Sequence, residues 1–259
     1  MSTYVMSDIH GQYEAFLKML ALIDLKEEDE LYVLGDIIDR GRDGIKLIQK
    51  MMTMPNVQFF LGNHELLMLD AIQNIEDNKN KDRHDTDDID LWLDPCNGGR
   101  FTYDAYTILP AKKRKEILEY LRNAWVLKKI RIGNKMYHLS HSYTCGRKFE
   151  GGLHLSDLKK EEVSSIVWQS VFEYHFRKMM GERLYPNKKT IYVCGHIFTQ
   201  RLDCVDESGL GLIYHNKDFH GYHVINVDCG MALANKASQL GCLRLEDEAT
   251  FYVPLIDRD

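Results

Sequence analysis

Tyr4-Val5-Met6-Ser7-Asp8-Ile9-His10-Gly11 sets the reading of this chain, because two later segments repeat its plan. Leu31-Tyr32-Val33-Leu34 runs into Gly35-Asp36-Ile37-Ile38-Asp39-Arg40-Gly41, and Gln58-Phe59-Phe60-Leu61 runs into Gly62-Asn63-His64-Glu65. Each is an apolar run of strand length that ends in glycine beside oxygen or imidazole donors. Carboxylates, a carboxamide and histidines delivered together from strand ends are what two neighbouring divalent cations need. One such string alone carries little. Three in order, within 58 residues, carry a great deal.

Between these segments the apolar period changes. Tyr13, Phe16, Leu17, Leu20 and Ile23 recur at helical spacing, as do Ile45, Leu47, Ile48 and Met51, and Leu66 to Ile75 reads as a third helix. The resulting β-α-β-α-β-α order predicts parallel strands with helical crossovers, and such sheets bind ligands at the carboxyl ends of their strands. Glu76 to Asp90 holds seven acidic residues and almost nothing apolar, so it is expected to be an exposed polar insertion. Residues 111–123 read as a helix, Trp125 to Ser140 as a hairpin turning at Gly133-Asn134, and Glu161 to Met180 as one helix. Short strands follow at Ile191 to Val193, Gly211 to Tyr214, Tyr222 to Val227, Cys242 to Leu245 and Ala249 to Val253. The expected architecture is a single α/β domain over 1–259, a layered β-sandwich flanked by helices with the metal site at strand ends.

Composition narrows the function classes. With 259 residues, 44% hydrophobic and 28% charged, the chain can bury a sizeable core. No apolar run approaches the roughly 20 residues that span a bilayer, so no membrane partner is expected. Candidate ligands start at Asp8, too early for a cleavable leader, and a cytoplasmic location is expected. The six cysteines form no C-x-x-C pair and read as reduced thiols. A net charge of −6 speaks against a nucleic-acid platform, and Lys112-Lys113-Arg114-Lys115 reads as a solvated helix face.

Asp8 and His10 alternate with Ile9, which would aim both side chains to one side and hold one cation. Asp36 could bridge two cations, and Asn63 offers a neutral carbonyl oxygen. Two more imidazoles are needed. His141, in Leu139-Ser140-His141-Ser142, and His196, in Val193-Cys194-Gly195-His196, each follow an apolar strand. His84, His154, His175 and His220 read as surface or hydrogen-bonded residues, and His138 stays unassigned. His215 and His223 are candidates to line the cleft. Two divalent cations bring +4 and Asp8 and Asp36 return −2; a bridging hydroxide leaves the site near +1, a local well for an anionic substrate such as phosphate.

The order D-x-H-G, G-D-x-x-D-R-G, G-N-H-E, a lone histidine and then G-H resembles the PPP-type, calcineurin-like metallophosphoesterases, and the bacterial and phage serine/threonine protein phosphatase branch in particular. Symmetrical diadenosine tetraphosphatases are related to that branch. The resemblance runs from Tyr4 to His196, with Trp92 to Tyr106, Ile225 to Gly230 and Gly241 to Glu246 also similar to it. It implies that Asp8, His10 and Asp36 hold one metal and that Asp36, Asn63, His141 and His196 hold the other. Manganese is the expected ion, with iron or zinc as alternatives. Arg40 would clamp phosphate oxygens, with Asn63 also contacting substrate. His64 would be the general acid, oriented by Asp39, in an in-line attack by metal-bound hydroxide. The implied substrates are a phosphoprotein or a small phosphoester, with diadenosine polyphosphate as the alternative. Two departures stand out. Ser7 replaces the usual glycine, and Trp168 is followed by Gln169 and Ser170 rather than by a second phosphate-binding arginine. Arg183, or else Arg177, is the candidate to replace it.

Overall fold

The structure is a computed structural model, and it describes residues 1–78, 86–144, 149–180, 185–235 and 237–255. The three opening strands, β1 (Thr3–Met6), β2 (Glu30–Val33) and β3 (Val57–Phe59), pair in parallel and are joined through α1 (Tyr13–Leu22) and α2 (Gly44–Met51). Their register, Tyr4 opposite Leu31 and Leu31 opposite Val57, ends all three at one level. The residues after each strand therefore emerge along one edge. After β3 the chain enters α3 (Asn63–Asn78), whose first turn carries Asn63 and His64.

A helical layer follows, α4 (Asp87–Leu93), α5 (Arg100–Thr107) and α6 (Ala111–Arg122), and then the expected hairpin of β4 (Trp125–Ile132) and β5 (Lys135–Ser140). Beyond it lie β6 (Gly152–His154), α7 (Lys160–Trp168), α8 (Tyr174–Met180), β7 (Ile191–Cys194), β8 (Tyr214–Phe219), β9 (Tyr222–Asn226), β10 (Gln239–Arg244) and β11 (Thr250–Pro254). One sheet has the order β11-β10-β1-β2-β3, and the other β6-β4-β5-β7-β9-β8. Strands β5, β7 and β9 are parallel, so they too share one terminal edge.

Strand alternation builds the layers. Val5 on β1 joins Tyr137, Leu139, Ile191, Val193 and Ile225 in a core between the sheets. Tyr4 and Met6 point the other way, into a core shared with Phe16 and Met19 of α1. On β7, Tyr192 and Cys194 face away from the other sheet, towards Phe172 and Phe176. Burial on both faces is what makes these short parallel strands read as continuous apolar runs.

Three sequence expectations are corrected. The supposed polar insertion at 76–90 is in part helical: α3 continues to Asn78 and α4 begins at Asp87, with 79–85 lying outside the described residues. Asp87, Asp88 and Asp90 occupy the first turn of α4, where the helix dipole favours carboxylates, and Trp92 anchors it in the core. The helix expected over Glu161 to Met180 is interrupted at Gln169, whose backbone is extended (φ −84°, ψ 140°). The break turns the Gln169 carbonyl to the Ser142 hydroxyl, and the Ser170 hydroxyl accepts the Phe172 N–H. The strand placed at Gly211 to Tyr214 starts instead at Tyr214, because the Gly211 N–H is taken by the Thr199 hydroxyl.

Candidate metal centre

The candidate ligands leave the strand ends on strained backbone. Asp8, His10, Asp36, Asp39, Arg40 and His196 all have positive φ, between 45° and 73°. For residues other than glycine each such conformation costs about 1–3 kcal/mol and persists only where its surroundings impose it. Asp8 and His10 thus converge through left-handed loop geometry after β1 has ended at Met6, not through strand alternation. Two supports hold the loops. The N–H groups of Asp8, His10 and Gly11 donate to the carbonyls of Gly35, Asp36 and Ile37. The buried Glu65 carboxylate accepts the N–H groups of Asp36, Ile37 and Gly62 at 2.9, 2.9 and 3.0 Å. Gly62 is required here, since a Cβ would be driven into the Asp36 carboxylate. Gly195 is in the same position against Asp8.

The donor atoms meet around Asp36. His10 Nε2 lies 4.0 Å from Asp8 Oδ1 and 3.8 Å from Asp36 Oδ2. On the other side, His141 Nε2 is 3.6 Å from Asp36 Oδ1, and both His141 Nε2 and His196 Nδ1 lie 3.0 Å from Asn63 Oδ1. The far nitrogen of each imidazole faces a backbone carbonyl: His10 Nδ1 to Ile38 at 3.1 Å, His141 Nδ1 to Leu34 at 2.6 Å and His196 Nε2 to Trp168 at 3.2 Å. A carbonyl only accepts, so in a neutral imidazole held this way the far nitrogen carries the proton and the inward nitrogen presents a lone pair. With the Asn63 oxygen also inward, lone pairs confront lone pairs throughout. Bound cations would relieve that arrangement, so the residues present fit a pair of metal ions.

Burial sets the charge preferences of these groups. Burial, helped by the neighbouring charge of Asp8, pushes the Asp36 carboxyl well above the usual range. Burial also drives the His10 and His196 imidazoles well below theirs, keeping them neutral. Metal ligation favours both the neutral imidazole and the ionised carboxylate.

Beside these donors stands a second group. His64 Nδ1 donates to Asp39 Oδ2 at 2.8 Å, and the same oxygen accepts the Trp92 indole N–H at 2.9 Å. His64 Nε2 looks towards Arg40 Nη2, 3.3 Å away, and Asp36 Oδ2, 3.9 Å away. The Thr102 hydroxyl accepts the Asp39 N–H, and the Gly98 carbonyl accepts that of Arg40.

The calcineurin-like phosphoesterase family model matches residues 1–200. The chain belongs to that family. A symmetrical bis(5'-nucleosyl)-tetraphosphatase of Enterobacter sp. (strain 638) is 33% identical over 102 residues, 36% of each chain. Serine/threonine-protein phosphatase 2 of Salmonella typhimurium is 25% identical over 166 residues, 64% of this chain and 66% of that protein. The chain therefore spans about a third of the length of the first relative and just under two thirds of the second. The crystal structure of a metallophosphoesterase from Sphaerobacter thermophilus superposes with a TM-score of 0.53 at 14% identity, over 100% of this chain and 90% of that one. That likeness concerns the fold.

In this calcineurin-like phosphoesterase His10, Asp36, Asn63 and His196 line one cavity of 240 Å³ together with Arg40 and His64. The structure brings Asp8, His10, Asp36, Asp39, Arg40, Asn63, His64, His141 and His196 close to one another. Arg183 lies outside the described residues. Arg177 is directed elsewhere, donating to the carbonyls of Val171 and Phe172 and lying over the Phe219 ring. The cavity wall instead carries Arg201, five residues after His196, together with Trp168 and Asp228. Asp228 repeats the signal of the other strand ends, Val227-Asp228-Cys229-Gly230, and could have been found by it. Trp92 and Glu65 act only through hydrogen bonds to other residues, which no sequence spacing announces. His215 and His223 do not line this cavity; His223 lies near the start of β9, and His215 is on β8, opposite Ile225.

Proposed function

We propose that the chain is a metal-dependent phosphoesterase that hydrolyses phosphomonoesters, with phosphoserine or phosphothreonine in proteins as its substrates. The observation that carries this reading is the convergence of inward lone pairs beside an arginine and a carboxylate-oriented histidine in one cavity. Asp8, His10 and Asp36 would hold one divalent cation, and Asp36, Asn63, His141 and His196 the other, manganese being the favoured ion and iron or zinc alternatives. Such cations supply Lewis-acid polarisation of phosphate oxygens and a lowered pKa for water. Arg40 presents its fork to the non-bridging phosphate oxygens, and Asn63 contacts the same group. As phosphate draws Arg40 away, His64 Nε2 is freed to take up a proton from solvent and pass it to the leaving oxygen. Asp39 keeps Nδ1 protonated and the ring aimed at the cleft. Arg201, on the cavity wall, is the candidate for a second phosphate contact.

A second reading, hydrolysis of dinucleoside polyphosphates, has an observation of its own. Trp168, 37% exposed, borders the cavity with Phe198 and offers a stacking surface for a base. The test is kcat/KM of the manganese-loaded protein on a phosphothreonine peptide and on diadenosine tetraphosphate, side by side. Preference for the peptide supports the first reading, and preference for the dinucleotide replaces it with the second. Inactivity on both, with two metals bound per chain, overturns both substrate assignments.

A further inference from the structure

The end of the sandwich away from the strand carboxyl termini carries another cluster of imidazole and carboxylate. His215 lies on β8 and His223 near the start of β9, on paired antiparallel strands of one sheet. Glu248 comes from the turn that joins β10 to β11 in the other sheet. The two imidazole rings stack with centroids 4.8 Å apart and planes 5° from parallel, and their Nε2 atoms are 2.5 Å apart. Glu248 Oε2 stands 3.6 Å from His215 Nε2, so one donor atom from each residue falls within 4.8 Å of the other two. Glu248 holds this place on a left-handed backbone, φ 60°, an uncommon conformation for a glutamate.

Two neutral imidazoles can meet Nε2 to Nε2 in only two ways. One ring donates a proton to the other, which forces the rings into different tautomers, or both present lone pairs to a shared cation. Burial lowers the pKa of both rings, so neither needs to be charged near neutral pH. The nearby positive charges are Lys217 and Lys135, and Lys135 Nζ is already paired with Glu248 Oε1 at 2.5 Å. That pair leaves Oε2 free for the histidines.

We propose that His215, His223 and Glu248 form a further metal site that ties the two sheets together at the end remote from the candidate metal centre. Two imidazole nitrogens and one carboxylate oxygen suit a borderline cation such as zinc, whereas calcium and magnesium prefer oxygen alone. Binding requires only that the donating ring move its proton to Nδ1, so no net proton is released. This site depends neither on the substrate nor on the roles assigned in the cleft.

The test counts zinc per chain by native mass spectrometry after equilibration of the full chain with zinc. Wild type should carry one ion more than the double variant His215→Gln/His223→Gln, with phosphoesterase activity and circular dichroism unchanged. Glu248→Gln, which keeps both rings, should weaken the extra ion at least tenfold. Equal zinc counts in wild type and the double variant, as would follow from capture by the exposed thiols of Cys96 or Cys204, overturn the proposal. If the double variant does not fold, unchanged zinc affinity in Glu248→Gln overturns it equally.

Discussion

His64 and His138 show how differently two buried histidines can be used. His64 has a partner on each side of its ring, Asp39 and Arg40. In His64→Asn, turnover of substrates with poor leaving groups should fall about 10²–10⁴-fold, the usual range for loss of a general acid. An activated aryl phosphate should lose much less, and equal losses on both substrates would remove His64 from that role. His138 has no hydrogen-bond partner on either nitrogen among the described residues and lies between Phe149 and Tyr192. Burial pushes its pKa down to about 3. Between that value and the usual 6.5 of a free histidine the unfolded chain binds more protons, so stability rises with pH across this window and is lost as pH falls. At pH 5, about 1.5 units below the unfolded value and about 1.4 kcal/mol per unit, the loss is about 2 kcal/mol. His138→Phe should abolish that loss, seen as a flatter melting temperature from pH 7 to pH 5. The candidate ligands were legible at this scale because each donor string follows an apolar run directly. Glu65 and Trp92 were not, because their work is done through partners distant in sequence.

Elements were read well where period and punctuation agreed. The β-α-β-α-β run and the Gly133-Asn134 hairpin fall where the sequence placed them. Of the three corrected elements, two show different ways in which pattern misleads. Over 76–90 charge density hid the Ile89 and Trp92 anchors of α4, and over 161–180 helical period hid a break fixed by tertiary hydrogen bonds. Helix α4 matters because it delivers the Trp92 indole N–H to Asp39. Trp92→Phe keeps most of the packing and removes that bond to a carboxylate, worth about 1.5–3 kcal/mol. The expected outcome is a fall in kcat of roughly ten- to a hundredfold with KM little changed, read against an unchanged circular dichroism spectrum. A change in KM alone would count against a role in orienting His64.

At the scale of the molecule, among the described residues no helix is long and apolar enough to cross a membrane, and the five described cysteines are free, Cys145 lying outside them. The candidate ligands divide between the sheets. Asp8, His10, Asp36 and Asn63 follow β1, β2 and β3, whereas His141 and His196 follow β5 and β7. Ions held by both sets would bind the folded sandwich and not its separated halves, so they stabilise it by mass action. Chelation should therefore lower the melting temperature of the whole chain, and calorimetry with and without a chelator checks this. An unchanged melting temperature would mean that no ion binds the folded chain in preference to the unfolded one. The shared edge has a mechanical consequence as well. Ligands recruited from both sides of the seam make the centre a gauge of sheet separation: any motion that slides one sheet past the other must change the geometry around Asp36. Amide hydrogen exchange along β5 and β7, which lead into His141 and His196, should then slow when metal is added, and the candidate metal centre would report the tightness of a core it does not contain.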